Sequence, residues 1–282
     1  MKQIFLLIPV IILFSCNTSE KIPEKINITV SILPEKYFIE QIADLMFEIN
    51  VLIPPGASPA SYEPTISQIK ILANSKVYYR IGHIGFEKAW IPKIKKLYPE
   101  IKIVNLSKNI DLIKDNHEET GVDPHIWLSP KQIKIVIRNL FENLCELFPE
   151  EKLKFEKKYS CFNYLVDSID NDLENKFEIS RSKEFIIFHP ALTYLARDYG
   201  LKQYAIEQEG KEPSPRQLKS LINTGKKNNI HVIFIQKQFE KENAEIVARE
   251  LSAQIIQIDP LAENWLDNIT FITNSLLTTL NE

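Results

Sequence analysis

Two histidines in this chain sit in proline-bounded settings: His125 within Asp123-Pro124-His125-Ile126-Trp127-Leu128-Ser129-Pro130, and His189 within Phe188-His189-Pro190. Only five histidines occur in 282 residues. Imidazole is the commonest metal-ligating side chain, so a pair held this way raises the question of a transition-metal site. A carboxylate in a similar setting, Asp259 before Pro260, follows the apolar run Ile255-Ile256-Gln257-Ile258. Asp-Pro after a strand is also an ordinary turn, and a loop histidine often does no more than satisfy local hydrogen bonds. Two imidazoles and a carboxylate suit Zn²⁺ or a neighbouring divalent metal if the chain brings them to one place.

The elements that must do so are legible as short runs dense in Ile, Val, Tyr and Phe. Strands are predicted at about 27–33, 48–54, 76–81 and 102–106, and again at about 184–188, 203–207, 231–236 and 254–258. Helical spacing fills the gaps. Tyr37, Phe38, Ile42 and Leu45 mark one apolar face, and Leu218, Leu221 and Ile222 mark another, which Ser214 and Pro215 start as N-cap and first helical residue. The fold class is therefore α/β, with two lobes, each a four-stranded parallel sheet flanked by helices.

A helix from Pro130 to about Leu147 follows the first lobe, and Pro149 ends it. Between Glu150 and Phe177 there is no Gly or Pro, and Leu153, Phe155, Tyr159, Phe162, Leu165, Val166, Ile169 and Leu173 recur at helical spacing. One long rigid helix joining the lobes is predicted, and with it only a small interlobe opening. The divisions are 27–130 for the N-terminal lobe, 131–178 for the helical connector and 179–282 for the C-terminal lobe.

In open α/β sheets, ligands bind beyond the carboxyl ends of the strands. His189, Asp259, Glu209 and the loop 56–65 all follow predicted strands, and His125 ends the loop after the fourth. All point to one crevice. His117 belongs to a polar loop and is read as solvated or at most an accessory metal contact, His83 is read as a loop histidine placed where it could face the crevice, and His231, which opens a strand, is read as structural.

The amino terminus has its own reading. Lys2 and the apolar run Ile4 to Phe14 form a signal peptide over 1–15, too short to span a bilayer. Ser15-Cys16 resembles a bacterial lipobox, which makes Cys16 the lipidation site and 16–26 a polar tether to the membrane. The remaining cysteines, Cys145 and Cys161, are expected to pack as small core residues. With 25% charged residues, a net charge of −3 and no basic run interleaved with aromatics, nucleic acid is not an expected partner.

Four motifs together resemble a known family, the metal-binding solute-binding lipoproteins of bacterial ABC importers for zinc and manganese (cluster A-I), and most closely its zinc-uptake members. They are Pro55-Gly56-Ala57-Ser58-Pro59-Ala60-Ser61-Tyr62-Glu63-Pro64-Thr65, the Asp123–Pro130 stretch, Phe188-His189-Pro190-Ala191-Leu192-Thr193-Tyr194-Leu195-Ala196-Arg197-Asp198-Tyr199-Gly200, and Glu209-Gly210-Lys211-Glu212-Pro213-Ser214. The resemblance implies a monomeric carrier at the periplasmic or extracytoplasmic face, working with a permease and its ATPase. It implies one metal held by four side chains, three of which match His125, His189 and Asp259.

Where the family supplies the fourth, a histidine, this chain has Ala60, and a methyl group cannot coordinate. Water, Glu209, Glu63, His83 or His117 are the replacements, or the site has decayed; an open three-ligand site with Glu209 as the first protein substitute is favoured. Ligand chemistry favours Zn²⁺, with Mn²⁺ or Fe²⁺ as alternatives. A metal-dependent hydrolase using the open position is the competing function.

Overall fold

The computed structural model describes residues 25–114, 121–207, 213–239 and 242–281. All eight predicted strands are present: β1 (Ile26–Val30), β2 (Phe47–Val51), β3 (Val77–Arg80), β4 (Lys102–Asn105), β5 (Glu184–Ile187), β6 (Lys202–Ala205), β7 (Val232–Gln236) and β8 (Gln254–Ile258). They form two four-stranded sheets of order β2-β1-β3-β4 and β6-β5-β7-β8, parallel throughout. Such strands are covered on both faces, which is why β7 is an unbroken Val-Ile-Phe-Ile run with every residue buried.

The helices are α1 (Leu33–Ala43), α2 (Ile66–Ala73), α3 (Gly85–Leu97), α4 (Pro130–Leu147), α5 (Lys152–Glu178), α6 (Thr193–Asp198), α7 (Pro215–Lys227), α8 (Glu242–Leu251) and α9 (Trp265–Asn281). Ser214 caps α7 as predicted, its hydroxyl accepting from the Gln217 N–H. The connector α5 runs 27 residues, about 40 Å at 1.5 Å per residue. Its buried stripe is Phe155, Phe162, Val166, Leu173 and Phe177, and it packs on α4 with Phe141 stacked on Tyr159 at 4.5 Å. Leu153, expected on that stripe, is 82% exposed. It lies in the first turn of α5, about half a turn around the helix from the packed face. Leu45 is likewise exposed, because α1 ends at Asp44 in a left-handed turn before reaching it.

The larger of two clusters of buried side chains extends from β1 through α4 and α5 to β5, β8 and α9, and the smaller packs the other face of the second sheet against α8. Trp265 of α9 packs edge-on to Phe38 of α1 at 5.7 Å, and Lys36 of α1 pairs with Glu263. The two sheets thus share packed material. Among the described residues, no helix is long and apolar enough to cross a membrane.

Two fully buried carboxyls close the carboxyl end of the first sheet. Glu35 Oε2 accepts from the N–H groups of Ser31 and Ile32, at 2.9 and 3.0 Å. Glu87 accepts from the Ser31 hydroxyl and from the N–H groups of Ile81 and Gly82. Among the described residues, Glu35 Oε1 has no hydrogen-bond partner. Burial, then the neighbouring Glu87 charge, pushes the Glu35 carboxyl well above its ordinary range, and burial raises Glu87 to about 7 against the pull of Ser31 and Arg80.

A raised native pKa means that the folded chain keeps a proton the unfolded chain has lost. Stability from Glu87 is therefore complete below the ordinary carboxyl value of 4.5 and is lost as pH rises through about 7, and that from Glu35 falls in the same direction as pH rises above 4.5 towards its own raised value. Glu35→Gln keeps an acceptor for Ser31 and Ile32 and never ionises. It is expected to raise the melting temperature at pH 8 by several degrees, taking ~1–3 kcal/mol for an unpaired buried group and ~2–4 °C per kcal/mol. The gain should vanish at pH 4.5. Thermal melts at the two pH values check this, and an equal shift at both would show that the charge is not responsible.

Candidate metal centre

His189 lies two residues beyond β5 and His125 opens a short 3₁₀ turn (Ile126–Leu128) ahead of α4. The fold brings their rings to 5.2 Å between centroids, edge to face. Both line one cleft at the carboxyl ends of the two sheets, as the strand-end rule predicts.

Each ring is oriented by a carboxylate. Asp123 Oδ1 lies 2.9 Å from His125 Nδ1 and also accepts from the His125 N–H at 2.9 Å. Glu207 Oε2 lies 3.0 Å from His189 Nδ1, and Glu207 is buried. A neutral ring that donates Nδ1–H to a carboxylate keeps its lone pair on Nε2 and becomes a better donor to a cation. Burial pushes the Asp123 carboxyl up, but the charge and hydrogen bonds of His125 outweigh it and hold it below its ordinary value. The His189 backbone is pinned on both sides by Gln236, which accepts from its N–H and donates to its carbonyl, and Phe239 stacks on its ring at 5.2 Å.

The His125 stretch belongs to the first half of the sequence but is fastened to the second. Trp127 Nε1 donates to the Pro260 carbonyl at 2.8 Å, and Trp265 Nε1 donates to the Trp127 carbonyl at 2.7 Å. Tyr194 donates to the Asp123 carbonyl, and Ser129 and Gln132 both donate to Asp198. With both indoles buried, these bonds resist solvent exchange, so the two imidazoles are set on one packed unit.

Asp259 directly follows β8, as predicted, but its carboxylate is engaged: Oδ2 meets Lys237 Nζ at 3.1 Å and Oδ1 accepts from the Leu261 N–H at 3.1 Å. Pro260 and Leu261 line the cleft beside it. Among the described residues, no three His, Cys, Asp or Glu side chains converge closely enough to hold one ion. Two imidazoles therefore face the cleft and Asp259 stands at its edge in an ion pair.

A family model described as zinc-uptake complex component A, periplasmic, matches residues 28–279. The chain belongs to this family. A solved structure of a ZnuA deletion mutant with zinc bound superposes with a TM-score of 0.86 at 33% identity, over 92% of this chain and 99% of that one. The high-affinity zinc uptake system protein ZnuA of Bacillus subtilis is 27% identical, over 82% of this chain and 77% of its own length. A protein of Chlamydia trachomatis serovar D is 29% identical over 98% of this chain and 99% of its own. The zinc-uptake family is extracytoplasmic, and its members act in import rather than by turnover of a substrate.

Within that family frame the other sequence candidates fall as follows. Ala60 lines the cleft, at the loop where the family resemblance calls for a histidine. Glu63 is exposed. His83 takes a left-handed backbone (φ 69°), and burial, then Arg80 and Lys88, lower its pKa. It is not among the cleft-lining residues. His231 is exposed and precedes β7. Glu209, His117 and Cys16 lie outside the described residues. Cys145 is half-buried against the core as expected, but Cys161 is exposed on α5 beside the inward-facing Phe162.

Sequence reasoning missed Glu207 and the roles of Asp123, Gln236 and Phe239. Glu207 closes a predicted strand, so a strand-end carboxylate was visible; its turn toward His189 depends on side-chain direction that spacing does not carry.

Proposed function

We propose that this chain captures a divalent transition metal, zinc in preference to manganese or iron, between lobes 27–130 and 179–282 and hands it to a membrane permease driven by an ATPase. The observation that carries this is the pair of imidazoles, 5.2 Å apart, each with Nδ1 on its own carboxylate. That arrangement leaves two Nε2 lone pairs for one ion at ~2.0–2.1 Å. The zinc-uptake family match and the zinc-bound neighbour support the choice of metal. A mature chain lipidated at Cys16 would work tethered at the outer face of a membrane. Titration calorimetry of the chain with Zn²⁺ and Mn²⁺ tests the role: sub-micromolar zinc binding is expected, and no heat with either metal would sink it. The metal-dependent hydrolase draws no support from the family.

Asp259 is the third ligand in this proposal, reached when its carboxylate leaves Lys237. Lys237 is 59% exposed, and an exposed pair of this kind stabilises by only ~0–1 kcal/mol. Lys237→Ala is therefore expected to tighten zinc binding by roughly two- to fivefold, and Asp259→Ala to weaken it. Competition against a chromophoric chelator measures both. Unchanged affinity in Asp259→Ala would remove Asp259 from the ligand set.

A further inference from the structure

The cleft is larger and more apolar than one ion needs. Its volume is about 420 Å³, inside the ~300–1,000 Å³ range of sites that hold small organic molecules, whereas one water takes ~30 Å³ of liquid. Apart from the His125 stretch, the first lobe's share of the wall is Ser58, Pro59, Ala60, Ile84 and Gly85, and the second contributes Ala191, Phe239 and Leu261 beside the polar Glu207, Gln236 and Gln238. None of the apolar groups can ligate a metal.

The Ala60 wall is fixed in place. The Phe86 N–H donates to the Pro59 carbonyl at 2.9 Å. Gly85 lies so close that a methyl added to it would fall 2.5 Å from the Ala60 carbonyl oxygen. The loop is thus seated against the start of α3, and the space in front of the Ala60 methyl belongs to the cleft. Two imidazoles fill two of the four positions of a tetrahedral ion.

We infer that a small bidentate amino-carboxylate chelator, such as a free amino acid, fills the remaining positions, so that the chain captures the metal as a complex rather than as a bare ion. This rests on the carrier role proposed above. An amine nitrogen and a carboxylate oxygen complete four-coordination if Asp259 keeps Lys237, or five if it joins, which zinc also accepts. The chelator's carbon framework lies against Pro59, Ala60, Ile84 and Phe239. The apolar wall thus has an occupant, which neither a bare ion nor its water would provide.

The test titrates the chain with zinc at buffered free Zn²⁺, with and without L-histidine, and weighs the products by native mass spectrometry. At a chelator level about ten times its own dissociation constant, the apparent zinc affinity should rise roughly tenfold, and a 1:1:1 protein–zinc–histidine species should appear. Ala60→His supplies the missing donor, so it should bind bare zinc more tightly than the native chain and respond less than threefold to histidine. An unchanged native midpoint with a zinc-only adduct would overturn the inference and leave the carrier role standing. No zinc binding by either protein would remove both. The mass measurement on the native chain decides the matter even if the variant folds poorly.

Discussion

His125→Ala and His189→Ala are each expected to weaken zinc binding by at least about 100-fold without shifting the melting temperature by more than a few degrees. Zinc held by four protein ligands gains ~10–16 kcal/mol, or ~3 kcal/mol per ligand, and each 1.4 kcal/mol is tenfold in affinity. In this chain the loss should be at the upper end, because among the described residues no group of three His, Cys, Asp or Glu side chains converges to share the ion. Neither ring lies in the core: the side chains of His125 and His189 are 15% and 29% exposed. The fold around them is held by Trp127, Trp265, Tyr194 and Asp198 through bonds that the substitutions leave alone. Competitive titration gives the affinity and thermal melting the control. A variant that keeps native affinity would show that its imidazole is not a ligand.

Glu207→Ala is expected to reduce zinc affinity by ~10–100-fold although Glu207 itself never touches the metal. The carboxylate fixes the His189 tautomer and draws its Nδ1 proton, which enriches Nε2. Without it the ring is free to rotate or to place its proton on Nε2, where it blocks coordination. Glu207→Gln keeps an acceptor but loses the charge, so its loss should be smaller than that of Glu207→Ala. The ordering of the two variants separates orientation from charge. Equal affinities in Glu207→Ala and the native chain would leave Glu207 a packing residue only.

Much of this architecture is written in local pattern. Buried parallel strands need long apolar runs, so Phe185-Ile186-Ile187 and Val232-Ile233-Phe234-Ile235 announce themselves. The absence of Gly and Pro across 150–177 gives the connector. Local pattern fails at edges: Leu45 fits the period of α1 but falls beyond the helix end, and Leu153, in the first turn of α5, lies about half a turn from its packed face.

The site is legible to the same depth. His125 and His189 are found because strand ends and proline-bounded loops point there. The pairing of Asp259 with Lys237 is not, because it joins the loop after β7 to the end of β8 across 22 positions, and either partner also suits an ordinary turn. Nor does the sequence disclose that the first-half segment 123–129 is fastened to Pro260 and Trp265. That fact changes the picture of two lobes each bringing one histidine to the ion. The imidazoles are preset together, and the Ala60 wall is the first lobe's own contribution.

The most direct test of the proposed centre is a crystal structure of the zinc-loaded chain with anomalous scattering collected at the zinc edge. The expected peak lies ~2.0–2.1 Å from Nε2 of both His125 and His189, with Asp123 and Glu207 still on the two Nδ1 atoms. A zinc peak away from this cleft, or one bonded to a single imidazole or through Nδ1, would contradict the assignment.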